Sequence, residues 1–429
     1  MNILHYTLGF SPIRTGGLVG YSTDLMCEQK RMGYDVFALY PGSINYIHKK
    51  AYIKRKKRKL DFEVFELINS LPLAIFGGIR KPKDFMVSAS EKMYENFLRS
   101  ILPDAIHVHT LMGIHIEFFQ AAKKLNIPIF YTTHDYFGLA PDPTFFYEGK
   151  SYDQTNSVEY WMMASQTGLS TKKLRLFQSR LYPLVRKMSN LPITDKLFKK
   201  RKKEKKSTNI KSINYSDYNN LKKYYKDIFR LITKFHFNSI VSKDVFMNNL
   251  DRTVNYKVIS ITNAKIKRRE IQKIDSEKIR FAYIGNDKEF KGYFDFIGLA
   301  KELSENDSIE FHTYGYLPKQ KVENVFQHGR YSNENLDEVY QHTDILVVPS
   351  KWKETFGLIA LEAASYKTNV LLSQNVGAKE LFPPENHFKD IDSLKEKILI
   401  RDFSQIEEFE LNIKTMKNHC QEIANLLYC

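Results

Sequence analysis

The chain has 429 residues, 43% hydrophobic and 14% aromatic, which is long enough for two or three domains and too apolar for wholesale disorder. Its three cysteines, Cys27, Cys420 and Cys429, form no CxxC pair, which argues against a disulfide framework or zinc site and favours a reducing compartment. The first residues lack the features of a signal peptide, and no apolar run approaches the ~20 residues of a membrane helix. We therefore expect a cytoplasmic protein, soluble or peripheral to a membrane.

The net charge of +16 is concentrated in two basic runs. Residues 49–59 (KKAYIKRKKRK) carry eight basic side chains and no acidic one, and residues 196–206 (KLFKKRKKEKK) carry eight basic and one acidic. Such a run can bind anionic lipid or nucleic acid, or can simply be a solvated loop. The runs lack interleaved stacking aromatics and the chain has no recognised nucleic-acid motif, so we expect no nucleic-acid partner.

The first half of the chain alternates predicted strands and helices. Residues 3–8 are a predicted strand, followed by a loop with Gly16 and Gly17, a helix at 21–32 and a strand at 35–40. Further predicted strands lie at 105–108, 128–133, 237–241 and 256–261, with a helix at 116–125 and a mostly helical region at 157–235. This order is typical of a parallel α/β domain.

A second α/β series follows. Strands are predicted at 279–284, 309–314, 345–349 and 369–373, with helices at 294–304, 334–342 and 357–366. We therefore predict an α/β protein with two doubly wound, Rossmann-like domains that face each other across a cleft: residues 1–264 and 279–404, joined by a linker at 265–278. Residues 405–429 would be a C-terminal helix that can cross back to the first domain. Ligands would lie at the carboxyl ends of the strands.

The segment 349–363 (PSKWKETFGLIALEA) carries the most chemical information. A strand ends at Pro349, and a loop leads to Gly357, where a helix begins whose free N–H groups favour an anion such as a diphosphate. Glu354 precedes that helix and Glu362 lies inside it, so both carboxylates can accept hydrogen bonds from sugar hydroxyls. On spacing alone, a surface acid and a solvated helical glutamate remain the more ordinary interpretation.

This segment resembles the E-x7-E motif of family 4-like GT-B glycosyltransferases. The resemblance implies that Glu354 contacts the donor sugar, that Glu362 contacts the nucleotide ribose, and that the backbone of Thr355, Phe356 and Gly357 holds the diphosphate. The flanking residues 344–350 and 376–381 are similar as well.

Three other segments resemble the same family, in the same order. The loop 12–18 (PIRTGGL) is similar to its first glycine loop, and implies that Gly16 and Gly17 lie against the donor phosphate. Residues 132–136 (TTHDY) are similar to its strand-end histidine, which implies that His134 contacts the reacting sugar. Residues 285–292 (GNDKEFKG) resemble its diphosphate clamp, and Gly285, Asn286 and Lys291 take the corresponding positions.

The clamp departs from the family pattern at Asn286, where the family usually has arginine. A planar charged donor to phosphate is lost there, which can cost a few kcal/mol of transition-state stabilisation, by analogy with roughly 2.7–4 kcal/mol for one oxyanion donor. Either another cation, such as Lys288, replaces the arginine or the enzyme is slow or inactive. The usual asparagine-glycine turn between domains is also altered, to Asn263-Ala264.

The resemblance implies a retaining transferase that moves a hexosyl or rhamnosyl group from a nucleotide-sugar to a saccharide acceptor. It needs no metal or other cofactor, because GT-B enzymes stabilise the leaving diphosphate with basic side chains and helix N-termini. The opening segment is most similar to capsular polysaccharide glycosyltransferases of Gram-positive bacteria, which implies a lipid-linked acceptor. A non-catalytic GT-B subunit that supports a partner enzyme, and a sugar-nucleotide epimerase, are the alternatives.

A lipid-linked acceptor gives the basic runs a second interpretation. Both runs fall in the predicted acceptor-side domain, and each basic side chain near an anionic surface contributes about 1 kcal/mol. We therefore expect this domain to dock on the inner face of the plasma membrane, with solvated loops as the alternative. The residues expected at that surface are Lys54, Arg55, Lys56, Lys57, Lys200, Arg201 and Lys202.

Overall fold

The computed structural model describes residues 1–75, 77–179, 214–318, 320–400, 411 and 413–428. The run 196–206, with Lys200, Arg201 and Lys202, lies outside the described residues. The strands are β1 (Asn2–Tyr6), β2 (Asp35–Pro41), β3 (Tyr52–Lys56), β4 (Glu63–Ile68), β5 (Ala105–Val108), β6 (Ile129–Thr132), β7 (Phe146–Tyr147), β8 (Lys150–Ser151), β9 (Lys234–Phe237), β10 (Tyr256–Val258), β11 (Ile279–Ile284), β12 (Ile309–Tyr314), β13 (Phe326–Gly329), β14 (Ile345–Val348), β15 (Asn369–Ser373) and β16 (His387–Phe388).

The α-helices of the described residues alternate with these strands over most of the chain. They are α1 (Gly17–Arg31), α2 (Glu91–Ile101), α3 (Ile116–Lys124), α4 (Val158–Ala164), α5 (Thr171–Phe177), α6 (Tyr215–Leu231), α7 (Ile240–Asn249), α8 (Tyr293–Glu302), α9 (Leu336–Gln341), α10 (Leu358–Ser365), α11 (Ile391–Ile400) and α12 (Met416–Leu426). None of them combines the length and the apolar character that crossing a bilayer requires.

Two sheets organise the molecule. The first has eight strands in the order β10-β9-β6-β5-β1-β2-β4-β3, and the second has six in the order β13-β12-β11-β14-β15-β16. The second sheet is parallel throughout, and in the first only β3 runs antiparallel to its neighbour. Buried apolar strands such as β14 (ILVV) are typical of sheets covered by helices on both faces. The predicted class, an α/β protein with two doubly wound sheets, is therefore confirmed.

Two local predictions are wrong. The strand predicted at 237–241 lies earlier, at β9 (Lys234–Phe237), because Ser239 caps the N-terminus of α7 by accepting a hydrogen bond from the backbone N–H of Ser242 at 3.0 Å. The sequence analysis also missed β3 and β4, an antiparallel pair at the edge of the first sheet. The basic side chains of the 49–59 run interrupt the apolar alternation that would have indicated a strand there.

The C-terminal helix joins the two halves of the molecule. Helix α12 packs on α1, and the Sγ of Cys420 lies 3.9 Å from the backbone oxygen of Leu25. One apolar cluster contains Tyr21 and Leu25 of α1, Met416 of α12 and side chains of the second sheet such as Val348. The two sheets therefore share buried apolar surface.

Candidate active site

Two helices that begin on glycine come together between the sheets. Gly16 (φ 120°) precedes α1 and Gly357 (φ 92°) precedes α10, and neither helix start is capped by a side chain. A Cβ added at Gly17 would lie 3.7 Å from Cδ1 of Leu358, the first residue of α10, so the two helix starts are close. Because the first N–H groups of a helix lack intrahelical acceptors, both starts favour an anion.

An ion pair lies beside the start of α10. Lys291 Nζ is 2.6 Å from Glu354 Oε1, and Ser350 Oγ donates to Glu354 Oε2 at 2.5 Å. Glu354 is only 7% exposed, and the Lys291 ammonium also lies 5.3 Å from the centroid of the Trp352 ring. The segments that carry the pair are tied together, because the backbone N–H groups of Lys351 and Trp352 both donate to the carbonyl of Phe290.

Glycine at position 292 makes this arrangement possible. Gly292 has φ 74°, in the left-handed region, and a Cβ added there would lie 1.8 Å from the backbone oxygen of Pro349. Only glycine allows so close an approach between the end of β14 and the turn that carries Lys291. The glycine of the Lys291-Gly292 motif is therefore required by close packing, whether or not a ligand binds.

Thr355 connects the two sheets. Its Oγ1 donates to the backbone oxygen of His134 at 2.9 Å, and its own carbonyl accepts from Ser239 Oγ at 2.6 Å. The next residue, Phe356, is buried with 3% exposure and anchors the loop in the apolar cluster. His134 is thereby held at the loop that carries Glu354.

A carboxylate of the second sheet also caps a helix of the first. Glu380 Oε1 accepts from the backbone N–H groups of Ile240 and Val241, at 2.6 and 3.3 Å, at the start of α7. Burial raises the pKa of Glu380, while the two N–H donors act in the opposite direction. Sequence reasoning did not identify this contact, because residues 240 and 380 meet only in the folded chain.

Glu362 lies in the second turn of α10 and is half-buried. Tyr340 donates its hydroxyl hydrogen to Glu362 Oε1 at 2.9 Å. Burial raises the pKa of this carboxyl, and the charges of Lys265 and Arg269 partly oppose that rise. A carboxylate in this position can accept a hydrogen bond from a vicinal diol such as a ribose.

The segment with Gly285 and Asn286 follows β11. The Tyr283 hydroxyl donates to the backbone oxygen of Asn286 at 2.6 Å, while the Asn286 side chain and Lys288 are exposed. Burial and then the nearby Glu354 carboxylate raise the pKa of Tyr283. The turn is thus fixed by its backbone, and its exposed side chains are available to a ligand.

His134, itself half-buried, belongs to a group of otherwise buried imidazoles that sequence reasoning did not recognise. The group, called here the histidine cluster, comprises His5, His107, His109, His134, His236 and His419. Burial lowers the pKa of all six, to about 3 for His5 and His134 and to about 4 for His236. The alternation His107-Val108-His109, which puts two imidazoles on one face of β5, was the available signal.

Three members of the histidine cluster have the composition of a metal site. The ligand nitrogens of His5, His107 and His109 all lie within 4.8 Å of one another, and the three side chains are buried. Their nitrogens are also hydrogen-bonded: His5 Nδ1 lies 3.0 Å from His109 Nε2, and His107 Nε2 lies 2.6 Å from Thr132 Oγ1. Hydrogen bonding therefore accounts for this arrangement without an ion.

Two doubly wound, mostly parallel sheets that meet at a shared site have the arrangement of the GT-B fold. Residues 264–400 match the family model of glycosyl transferases group 1, so this part of the chain is similar to a group 1 glycosyltransferase domain. The match contains the Lys291–Glu354 pair and Glu362. It ends before α12.

The chain is also similar to a curated protein and, in its fold, to solved structures. An uncharacterized 42.6 kDa protein in the cps region of Klebsiella pneumoniae is 25% identical over 316 residues, which cover 71% of this chain and 67% of that protein. The Anabaena protein HepE, solved in complex with UDP and glucose, has a TM-score of 0.55 at 14% identity, over 100% of this chain and 99% of its own. Sucrose-phosphate synthase from Thermosynechococcus elongatus has a TM-score of 0.52 at 12% identity, over 99% and 95%.

Proposed function

We propose that this chain is a nucleotide-sugar-dependent glycosyltransferase that extends a saccharide acceptor in the synthesis of a cell-surface polysaccharide. The observation that carries the proposal is the Lys291–Glu354 pair, 2.6 Å apart, beside the uncapped start of α10. A diphosphate seated there receives the N–H groups of that helix and the Lys291 ammonium. Positive groups aimed at a leaving diphosphate stabilise the charge that develops during transfer.

The ion pair makes donor binding an exchange of partners. An incoming diphosphate attracts Lys291 and repels Glu354, so the ammonium turns from the carboxylate towards phosphate. Glu354, still held by Ser350, is then free to accept a hydrogen bond from a sugar hydroxyl. Glu362 contacts the ribose, and His134 contacts the transferred sugar from the opposite sheet.

We propose that the reaction is retaining and needs no bound metal. The support is the E-x7-E spacing of Glu354 and Glu362, which resembles that of the retaining family 4 enzymes. The N–H groups of the helix starts and the Lys291 ammonium can stabilise the anionic leaving group. Donors of this kind replace a metal in this fold. Transfer to a defined acceptor, followed by NMR of the new anomeric centre, tests retention, and undiminished turnover after chelation tests metal independence.

We further propose that the acceptor is lipid-linked and that the edge strand β3 faces the membrane. Lys54, Arg55, Lys56 and Lys57 are all exposed at that edge. Two of them have acidic partners: Arg55 pairs with Glu63 at 3.0 Å, and Lys56 lies 3.6 Å from the Glu66 carboxylate. The structural alternative to membrane docking is that these charged side chains protect the edge strand from pairing with other chains. The cps-region relative supports the capsular assignment.

Vesicle co-sedimentation separates these two interpretations. Binding should require anionic lipid, weaken with salt, and fall when the four basic side chains of 54–57 are changed to glutamine. The matched control changes four exposed lysines elsewhere, Lys267, Lys301, Lys321 and Lys389, and should bind as the wild type does. Equal loss in both variants, or no binding to anionic vesicles, would exclude a specific role for β3.

A non-catalytic subunit is the second candidate, because the exposed Asn286 supplies no charge to phosphate. Calorimetric titration with UDP-, dTDP- and GDP-sugars, together with an assay for nucleoside diphosphate release, distinguishes the candidates. The proposed enzyme binds one donor class and turns it over with an acceptor. A subunit shows neither alone, and donor binding should weaken by at least tenfold in Lys291→Ala, against little change in the exposed control Lys301→Ala.

A further inference from the structure

A continuous path of hydrogen bonds runs through the interior from the backbone oxygen of Ile259 to the ring of His134. Its donor–acceptor distances range from 2.6 to 3.4 Å. From Ile259 the path passes in order through His236, Thr132, His107, Tyr428, Gln29, His5 and His109. It therefore links the C-terminal segment, through Tyr428, to the strand ends of the first sheet.

The direction of the path is set at its Ile259 end. A carbonyl oxygen only accepts, so His236 Nε2 must donate to it, at 2.7 Å. Burial keeps His236 neutral by lowering its pKa to about 4, so its Nδ1 has no hydrogen and accepts from Thr132 Oγ1 at 2.9 Å. The Thr132 hydroxyl has then used its hydrogen, and it accepts from His107 Nε2 at 2.6 Å.

The same reasoning carries the direction through the middle of the path. His107 Nδ1 has no hydrogen, so it accepts from the Tyr428 hydroxyl at 2.7 Å. The Tyr428 oxygen then accepts from Gln29, whose other amide atom must accept from His5. The structure has the Gln29 amide in this orientation: Nε2 is 3.0 Å from Tyr428 and Oε1 is 2.7 Å from His5 Nε2.

The last two bonds reach the candidate active site. His5 Nδ1 accepts from His109 Nε2 at 3.0 Å, and His109 Nδ1 accepts from His134 Nε2 at 3.4 Å. His134 therefore has its hydrogen on Nε2, which leaves Nδ1 with a lone pair. Reversing the direction would require a second hydrogen on His236 and hence a charged imidazole in the core, where burial disfavours charge.

We propose that Tyr428 is a positioning residue that, through this path, holds His134 as the Nε2–H tautomer and so makes Nδ1 an acceptor for a hydroxyl of the donor sugar. The role in transfer rests on the proposed function, whereas the tautomer does not. The path also explains why four strands, helix α1 and the C-terminal segment present polar side chains to one another in an otherwise apolar core. Such a network is stable when every member is satisfied.

The test compares Tyr428→Phe with Tyr94→Phe. The Tyr94 hydroxyl bonds His115 Nδ1 at 2.7 Å, the same length as the Tyr428–His107 bond; Tyr94 is buried and Tyr428 is half-buried. Two-bond ¹H–¹⁵N NMR of histidine-labelled protein, assigned with His134→Gln, reports the tautomer. We expect Nε2–H at His134 in the wild type and in Tyr94→Phe, and a mixture of tautomers in Tyr428→Phe.

Activity gives a second readout. Loss of one neutral hydrogen bond to the sugar should lower kcat/KM about fivefold in Tyr428→Phe and leave Tyr94→Phe unchanged. An Nδ1–H tautomer in wild-type His134, an unaltered tautomer in Tyr428→Phe, or a stoichiometric metal ion on His5 and its neighbours would overturn the proposal. A wild type with the expected tautomer and no transferase activity would refute the proposed function and leave the tautomer assignment standing.

Discussion

Mild acid should destabilise this protein, because five of the six imidazoles of the histidine cluster are buried in the neutral state. All six imidazoles have folded pKa values below the ordinary value of 6.5, with burial as the main cause. In the unfolded chain they titrate near 6.5, so below that pH the unfolded state binds more protons than the folded state. Stability is therefore complete above pH 6.5 and falls as the pH drops towards 3–4.

The size of the effect follows from the same values. Between pH 7.0 and 5.5, each histidine with an unfolded pKa of 6.5 and a folded pKa near 3 or 4 costs about 1.3 kcal/mol of unfolding free energy. The three with such folded values, His5, His134 and His236, together cost about 4 kcal/mol. Asp135 acts in the opposite sense, because burial raises its pKa from 3.8 to about 6, and it returns about 0.8 kcal/mol over this interval. The net loss from these four groups, about 3 kcal/mol, is a large part of the stability of an ordinary domain.

Urea unfolding at a series of pH values measures this loss directly. The matched variant is His419→Gln, because the glutamine can still bond the Tyr21 hydroxyl that His419 Nε2 contacts at 2.8 Å, and it does not titrate. Its unfolding free energy should change by about 1.3 kcal/mol less than that of the wild type between pH 7.0 and 5.5. A wild type that loses less than about 2 kcal/mol over this interval would contradict a buried, neutral cluster.

Three further predictions concern the second sheet. Asn286→Arg should tighten binding of a nucleoside diphosphate by about tenfold in calorimetric titration, since it restores a charged fork to phosphate; unchanged or weaker binding would mean that this side chain does not face the anion. Gly292→Ala should lower the unfolding free energy by more than about 2 kcal/mol, because its Cβ would lie 1.8 Å from the Pro349 oxygen. The control Gly298→Ala in α8, with open space around its Cβ, should be neutral or stabilising. Similar melting temperatures for the two variants would refute the steric argument. Glu380→Gln should cost about 1 kcal/mol of stability by weakening the cap on α7, and protection of the first α7 amides from hydrogen exchange should fall with it.

Local sequence patterns predicted an element correctly where a single pattern of apolar residues runs through the whole element. Continuous apolar runs such as β14, and the glycine before α10, identified strands and helix starts, whereas the GT-B assignment came from the resemblance to a known family. The edge pair β3 and β4 was missed, since β3, an edge strand with three exposed basic side chains, has no apolar signature. The 237–241 prediction failed for a related reason: Phe237 and Val241 are apolar, but Ser239 between them begins a helix.

The candidate site was partly accessible from the sequence. Resemblance to the family motifs selected Glu354 and Lys291, and the structure brings them into contact although 63 positions separate them. It did not indicate that they would pair with each other, because side-chain partners across a sheet edge depend on tertiary geometry. For the same reason the sequence could not reveal that His134 ends a hydrogen-bond path reaching Tyr428. Adjacent strands and a returning helix bring those side chains together.

The most direct test of the proposed function is the rate of nucleoside diphosphate release from the donor that the protein binds, measured with and without a saccharide acceptor. The account predicts acceptor-stimulated release by the wild type. It also predicts a loss of at least a hundredfold in Lys291→Ala and in Glu354→Gln, with melting temperatures that show both variants folded. Release at the wild-type rate in both folded variants would contradict the assignment of the ion pair to the active site. Donor binding by the wild type without any release would contradict the assignment of the chain as an enzyme.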